Sequence, residues 1–257
     1  MRSLRGFLLL GRHAFATTLS GRRLLVLVLL AAVPVGVSVL VVEFDQRLRL
    51  DDFLDVVSRV VLQAVAPLVA LFLGVAVLGD EIDGRTITYL FTRPVPRPVV
   101  FLARLLGAAC GFAVLLALSV TACGAVFGGH IDLSAAEIGG SVAVALLGFL
   151  VYVAIFAALR AFLRRALFIG FFLGIIFEGM IANLPATRLS LCSVWHHTAV
   201  LLTRLFEDRI HRMPRGLLAT ETAAGSLQVL LGVLLVAVAL GAWKVHAREV
   251  RVPSAVA

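Results

Sequence analysis

Six apolar stretches, each close to the length that crosses a bilayer, dominate this chain of 257 residues. A spanning helix needs about 20 mainly apolar residues, because the hydrocarbon core is about 30 Å thick and a helix rises about 1.5 Å per residue. Leu24–Val42, Val60–Gly79, Val99–Phe127, Ile138–Leu159, Ala166–Leu184 and Leu227–Val245 meet that requirement. No water-soluble core absorbs so much apolar surface. Hydrophobic residues make up 61% of the chain and charged ones 15%, against about 45–50% and about 25% in soluble proteins. The bilayer is therefore the solvent, and run length selects helices over a barrel. The expectation is an all-α polytopic membrane protein with six transmembrane helices, forming a single transmembrane domain over residues 1–257.

The net charge of +8 would point to nucleic acid in a soluble chain. Here its distribution follows the positive-inside rule, so no nucleic-acid partner is expected. Fourteen basic residues fall in the N-terminal segment, the second-to-third connection, the fourth-to-fifth connection and the C-terminal tail. Seven fall in the alternate connections, which also hold Glu43, Asp45, Asp51, Asp52, Asp55, Asp132 and Glu137. Both termini and the 80–98 loop are therefore predicted to be cytoplasmic. The N-terminus is not expected to be a cleaved signal peptide, since its apolar run Phe7–Leu10 is too short.

Two segments outside the spans carry helical patterning. Residues 1–22 mix Leu4, Phe7, Leu8, Leu10 and Phe15 with Arg5, Arg12 and His13, which suits an interfacial helix. Residues 185–225 repeat Leu189, Val194, Trp195, Leu201, Leu205 and Ile210 at helical spacing. They predict outer amphipathic helices before the last span, resting at the interface or dipping into it. Trp195 suits an interfacial anchor.

The loop Gly79–Pro98 is longer and more charged than a membrane connection needs. It carries Asp80, Glu81, Asp83, Arg85, Arg93 and Arg97, and Pro94, Pro96 and Pro98 close it. Helix continuation through its first half, stopped by prolines, would make a short rigid lever. Glu81 to Arg97 resembles the signature of type-2 ABC exporter permeases. In that signature an acid ends the second span and a Gly-Thr-hydrophobic element follows. A Leu-rich turn and Thr/Ser-x-Pro-x-x-Arg then lead into the third span. Glu81 supplies the acid, Thr86 and Ile87 the Thr-hydrophobic pair, Tyr89-Leu90-Phe91 the turn, and Thr92-Arg93-Pro94-Val95-Pro96-Arg97 the close. Gly84 departs from the pattern, since Arg85 separates it from Thr86.

The resemblance implies a transmembrane permease subunit of an ATP-driven exporter in the bacterial inner membrane. It implies that Glu81, Thr86, Tyr89, Leu90, Arg93, Pro94 and Arg97 couple the permease to a separate ABC ATPase subunit. A second permease copy or a paralogue would complete the transporter. This chain has no Gly-x-x-x-x-Gly-Lys-Ser/Thr sequence, and its only lysine is Lys244. It is thus expected to bind no cofactor itself, ATP and Mg²⁺ belonging to the partner, and not to be an enzyme.

Glu178, inside the fifth apolar run, is a functional candidate because an acid within a span is costly. Its position in that run puts it toward the outer end. There it would touch substrate, cap a wet vestibule or pair with Arg59 as a structural charge. Cys192, His196, His197 and His211 form no closed ligand set, so no metal site is assigned and the histidines are expected at an outer surface. Three scattered cysteines form no disulfide framework. Two alternatives to the exporter are a non-catalytic scaffold or assembly subunit and an intramembrane enzyme. The second lacks the paired acids or His-Glu-x-x-His helix such chemistry requires.

Overall fold

The computed structural model describes residues 2–45, 47–83, 96–163, 165–182, 191–207, 209 and 222–247. Among them every regular element is helical, with no strand. The elements are α1 (Arg2–Thr18), α2 (Gly21–Phe44), α3 (Leu50–Asp55), a first π-helical segment (Val56–Val65) and α4 (Ala66–Asp83). Then follow α5 (Arg97–Gly128), α6 (Ala135–Phe162), α7 (Ala166–Phe171) and a second π-helical segment (Phe172–Phe177). α8 (Glu178–Ala182), α9 (Val194–Leu205) and α10 (Ala223–Ala247) complete the order.

Five helical stretches are long and apolar enough to cross a membrane: Gly21–Phe44, Leu50–Gly79, Arg97–Gly128, Ala135–Phe162 and Ala223–Ala247. The fifth predicted run is different. Its apolar helix, Ala166–Met180, is shorter than the other five. The π-helical turn at Phe172–Phe177 interrupts it.

Local chemistry explains several boundaries. Ser134 and Glu137 form a reciprocal capping box at the start of α6, with the Glu137 N–H donating to Ser134 Oγ and the Ser134 N–H donating to Glu137 Oε2. Pro96 precedes α5 and Pro98 sits in its first turn, where a missing N–H is harmless. The α1–α2 turn needs Gly21, whose φ of 59° lies in the left-handed region. The first π-helical segment runs up to Pro67. A proline ring crowds the carbonyl four residues back, and the wider π turn relieves that crowding. The neighbouring Ala66 N–H accordingly donates to Val61 O, five residues back.

Packing follows close approaches of small residues. α1 runs parallel to the first half of α5: Gly11 and Ala14 meet Gly107, and Thr18 meets Gly111. A Cβ on Gly107 would overlap the Gly11 carbonyl, so the two backbones touch, as small-xxx-small spacing permits. Gly74 of α4 is equally tight, with a Cβ there reaching 2.8 Å from both Phe156 Cβ and Val153 O of α6. Ser119 Oγ donates to Ala31 O at 2.6 Å, joining α5 to α2. At one end of the bundle the rings of Phe53, Phe127 and Phe206 meet edge to face and tie α3, α5 and the exit of α9 together. Arg209 closes that end by donating to Glu137 Oε1 at 2.8 Å. The opposite end carries Lys244, which lies 5.2 Å from the Phe162 ring.

α9 does not lie on the surface. Val194, His196, His197, Thr198, Ala199, Val200 and Leu202 are all buried. Thr198 packs on Gly148 and Leu205 on Gly140. Position along α9 therefore rises as position along α6 falls, and the two helices are antiparallel. The start of α9 lies deep in the bundle, and its end reaches the level where α6 begins. The expectation of surface histidines is overturned: His196 and His197 are 4% and 3% exposed. Their apolar neighbours fit a helix sunk into the bundle as well as one at its surface, which is why spacing alone did not separate the two.

Candidate functional site

The start of α9 exposes the problem every buried helix end has, namely backbone N–H groups with no partner in their own helix. Two acceptors solve it here. Ser193, the N-cap, accepts from the His196 N–H. Glu178 Oε1 accepts from the Trp195 N–H at 2.7 Å and from Ser193 Oγ at 2.9 Å. A carboxylate at a helix N-terminus also faces the positive end of the helix dipole. Glu178 is 8% exposed, and its place in the apolar interior is accounted for by this cap.

Beside it lies Tyr152 of α6. That residue is 2% exposed, and its hydroxyl adjoins the Glu178 carboxylate without completing a hydrogen bond. Tyr152 stands 17 residues after Ala135 and 10 before Phe162 within α6. Glu178, at the same level, is therefore in the interior of the bundle. The expectation that it lies toward the outer end is corrected, because Glu178 stands only 12 residues after Ala166, too few to reach the far end.

A cavity of about 170 Å³ opens between α6, the second π-helical segment and the start of α9. Tyr152, Glu178, Ser193 and Cys192 supply its polar lining, and Ile155, Phe156, Leu159, Leu173 and Val194 its apolar walls. Tyr152 and Phe156 stack at 6.3 Å between ring centroids and 13° between planes. Gly174 lets the Phe156 ring lie flat, since a Cβ there would overlap Phe156 Cζ.

Two further contacts anchor α9. The Trp195 indole donates to Ser58 O at 2.9 Å, joining α9 to the first π-helical segment. His197 Nε2 meets Leu191 O at 2.9 Å and Nδ1 meets Ser226 Oγ at 3.3 Å. A carbonyl only accepts, so Nε2 carries a proton and donates to it. Trp195 is thus an internal anchor more than an interfacial one.

Of the residues singled out in sequence, Arg59 and Glu178 have different partners. Arg59 pairs with Asp55 one turn away at 3.3 Å, both exposed, while Glu178 is held by Ser193 and Trp195. No group of three or more His, Cys, Asp or Glu among the described residues is arranged to hold a metal. Glu81 falls within α4 and Arg97 opens α5. Thr86, Tyr89, Leu90, Arg93 and Pro94 lie outside the described residues.

Residues 21–184 match the model of the ABC-2 family transporter proteins. The chain belongs to the ABC-2 transporter family. The match runs from the start of α2 to just past α8. No curated protein matches the chain. Within this ABC-2 protein, Glu178 and Tyr152 fall inside the matched region, whereas Ser193 and Trp195, which hold the carboxylate, fall beyond it. Membership makes the chain a multi-helix membrane protein of a transporter family. Sequence reasoning found Glu178 through its charge. It singled out neither Tyr152 nor Ser193, although Ser before a helical run is an N-cap signal.

Proposed function

We propose that this ABC-2 protein is the membrane-spanning permease subunit of an ATP-driven exporter. In this reading ATP is hydrolysed by a separate ABC ATPase chain, and a second permease copy or paralogue completes the path. The family match over residues 21–184 carries the proposal. The fifth apolar run, Ala166–Met180, serves as the remaining span; it is too short to cross alone, and the inserted α9 completes the membrane on its far side. Both termini face the cytoplasm, consistent with the arginine asymmetry.

Coupling is assigned to residues 80–98. α4 remains helical through Asp83, past the end of its apolar run, and α5 starts again at Arg97. The segment between them carries Thr86, Tyr89, Leu90, Arg93 and Pro94. A helix end extended beyond the apolar run and returned by prolines suits docking in a groove of the ATPase. Closure of the ATPase pair would then tilt α4 and α5 together. Purification of the tagged chain from native membranes in mild detergent tests this. An ATPase should co-purify with wild type and be lost or uncoupled with Glu81→Ala and with Arg93→Ala plus Arg97→Ala. Absence of any ATPase from intact wild-type protein overturns the reading.

A further inference from the structure

We propose that the cavity between α6, the second π-helical segment and the start of α9 binds the ammonium group of a small lipophilic amine. Glu178 would act as its counter-ion and Tyr152 as its orienting hydroxyl. This deepens the exporter reading, on which it rests, by naming the chemical class of cargo.

Four observations carry it. The hydrogen bonds that fix Glu178 come from neutral donors, Ser193 Oγ and the Trp195 N–H. No cation pairs with the carboxylate among the described residues, so a bound ammonium ion would supply the partner that stabilises its ionised form. The Tyr152 hydroxyl is wholly buried, lines the cavity and has no completed hydrogen bond, so a donor or acceptor there finds a ready partner. The stacked rings of Tyr152 and Phe156 stand at the same place, and aromatic rings beside a carboxylate suit an ammonium ion through their negative faces. Finally, the walls are aliphatic and aromatic apart from this polar corner. An apolar body with one positive end matches that layout, as in most small-molecule pockets. The volume of about 170 Å³ limits the bound part to a group the size of a short alkylamine. A divalent cation would want more carboxylates than the single one here.

Cys192 lines the cavity and is exposed, so its alkylation reports occupancy. Cys110 is the other exposed thiol among the described residues, and Cys110→Ser removes it. The purified Cys110→Ser chain in detergent is treated with N-ethylmaleimide in the presence of octylamine or, as the uncharged control, octanol. Octylamine at ten times its dissociation constant should slow Cys192 alkylation about tenfold, and octanol should not. Glu178→Gln keeps an acceptor for the Trp195 N–H and should abolish protection by octylamine. Tyr152→Phe should weaken it. Equal protection by octylamine and octanol, or protection unchanged in folded Glu178→Gln, overturns the proposal. The assay contains no ATPase, so failure here and failure to recover an ATPase partner are separate results.

Discussion

The Trp195 backbone N–H donates to the Glu178 carboxylate across 2.7 Å, linking the first turn of α9 to a helix 17 residues earlier. One contact thereby sets both the depth of α9 and the place of the only acid that lies within the apolar runs.

Removing that acceptor should destabilise the protein. Glu178→Ala leaves the Trp195 N–H and the Ser193 hydroxyl without their buried partner, at a cost of about 2–4 kcal/mol. Glu178→Gln retains a carbonyl acceptor and should cost less. Thermal unfolding in detergent compares them, and equal melting temperatures for the Ala variant and wild type would remove the cap from the account.

Trp195→Phe keeps one aromatic ring but deletes the indole N–H that reaches Ser58 O, together with the five-membered ring that carries it. The expected loss exceeds about 1 kcal/mol, the usual net value of a neutral hydrogen bond, because the smaller ring also leaves a void. The same unfolding assay reads it, and no change would mean that the bond adds nothing beyond packing.

Gly107→Leu should push α1 away from α5, because even a Cβ there overlaps the Gly11 carbonyl. Overpacking of this kind costs about 1–3 kcal/mol. Trypsin cleavage at the exposed Arg12 should accelerate. Gly36→Leu, where a Cβ meets nothing within 4 Å, should leave the cleavage rate unchanged.

Glu137 supplies a pH dependence. Burial pushes its carboxyl pKa up, but hydrogen bonds from Ser134 and the Arg209 guanidinium outweigh that effect, and the net shift is downward. A depressed folded-state pKa gives stability that is fully present above the unfolded value of about 4.3 and lost as pH falls through the folded value. Glu137→Gln should therefore melt below wild type at neutral pH, and the gap should close below about pH 4. A gap that persists in acid would assign the difference to the capping geometry instead of the charge.

The long apolar runs were readable because a span must be apolar along nearly its whole length, a demand no other element makes. Gly21–Phe44 and Ala223–Ala247 fall close to where hydropathy puts them. The second span starts at Leu50 instead of Val60, because Asp51, Asp52 and Asp55 at its head mask the helix from a hydropathy reading. The fifth run failed as a full-length helix for a different reason. Hydropathy counts residues, and a π turn leaves the count unchanged while altering the path. α9 was legible as a helix but not in its depth, since Val194, Val200 and Leu202 are apolar whether they face lipid or protein. Gly140 and Gly148, which admit Leu205 and Thr198, lie 65 and 50 residues before them. Of the cavity, Glu178 was visible through its charge alone. Tyr152 and Ser193 join it only through tertiary packing.

The backbone contact between Gly11 and Gly107 makes a splint of α1. A lone helix bends when pushed at one end, and some of the displacement is lost as curvature. Two helices locked side by side resist bending far more, so α1 stiffens the first half of α5. Motion imposed near Pro96 would then arrive undiminished at the Gly21 turn, where α2 begins, and the N-terminal helix would be a stiffener whose removal leaves every span in place yet blunts the stroke.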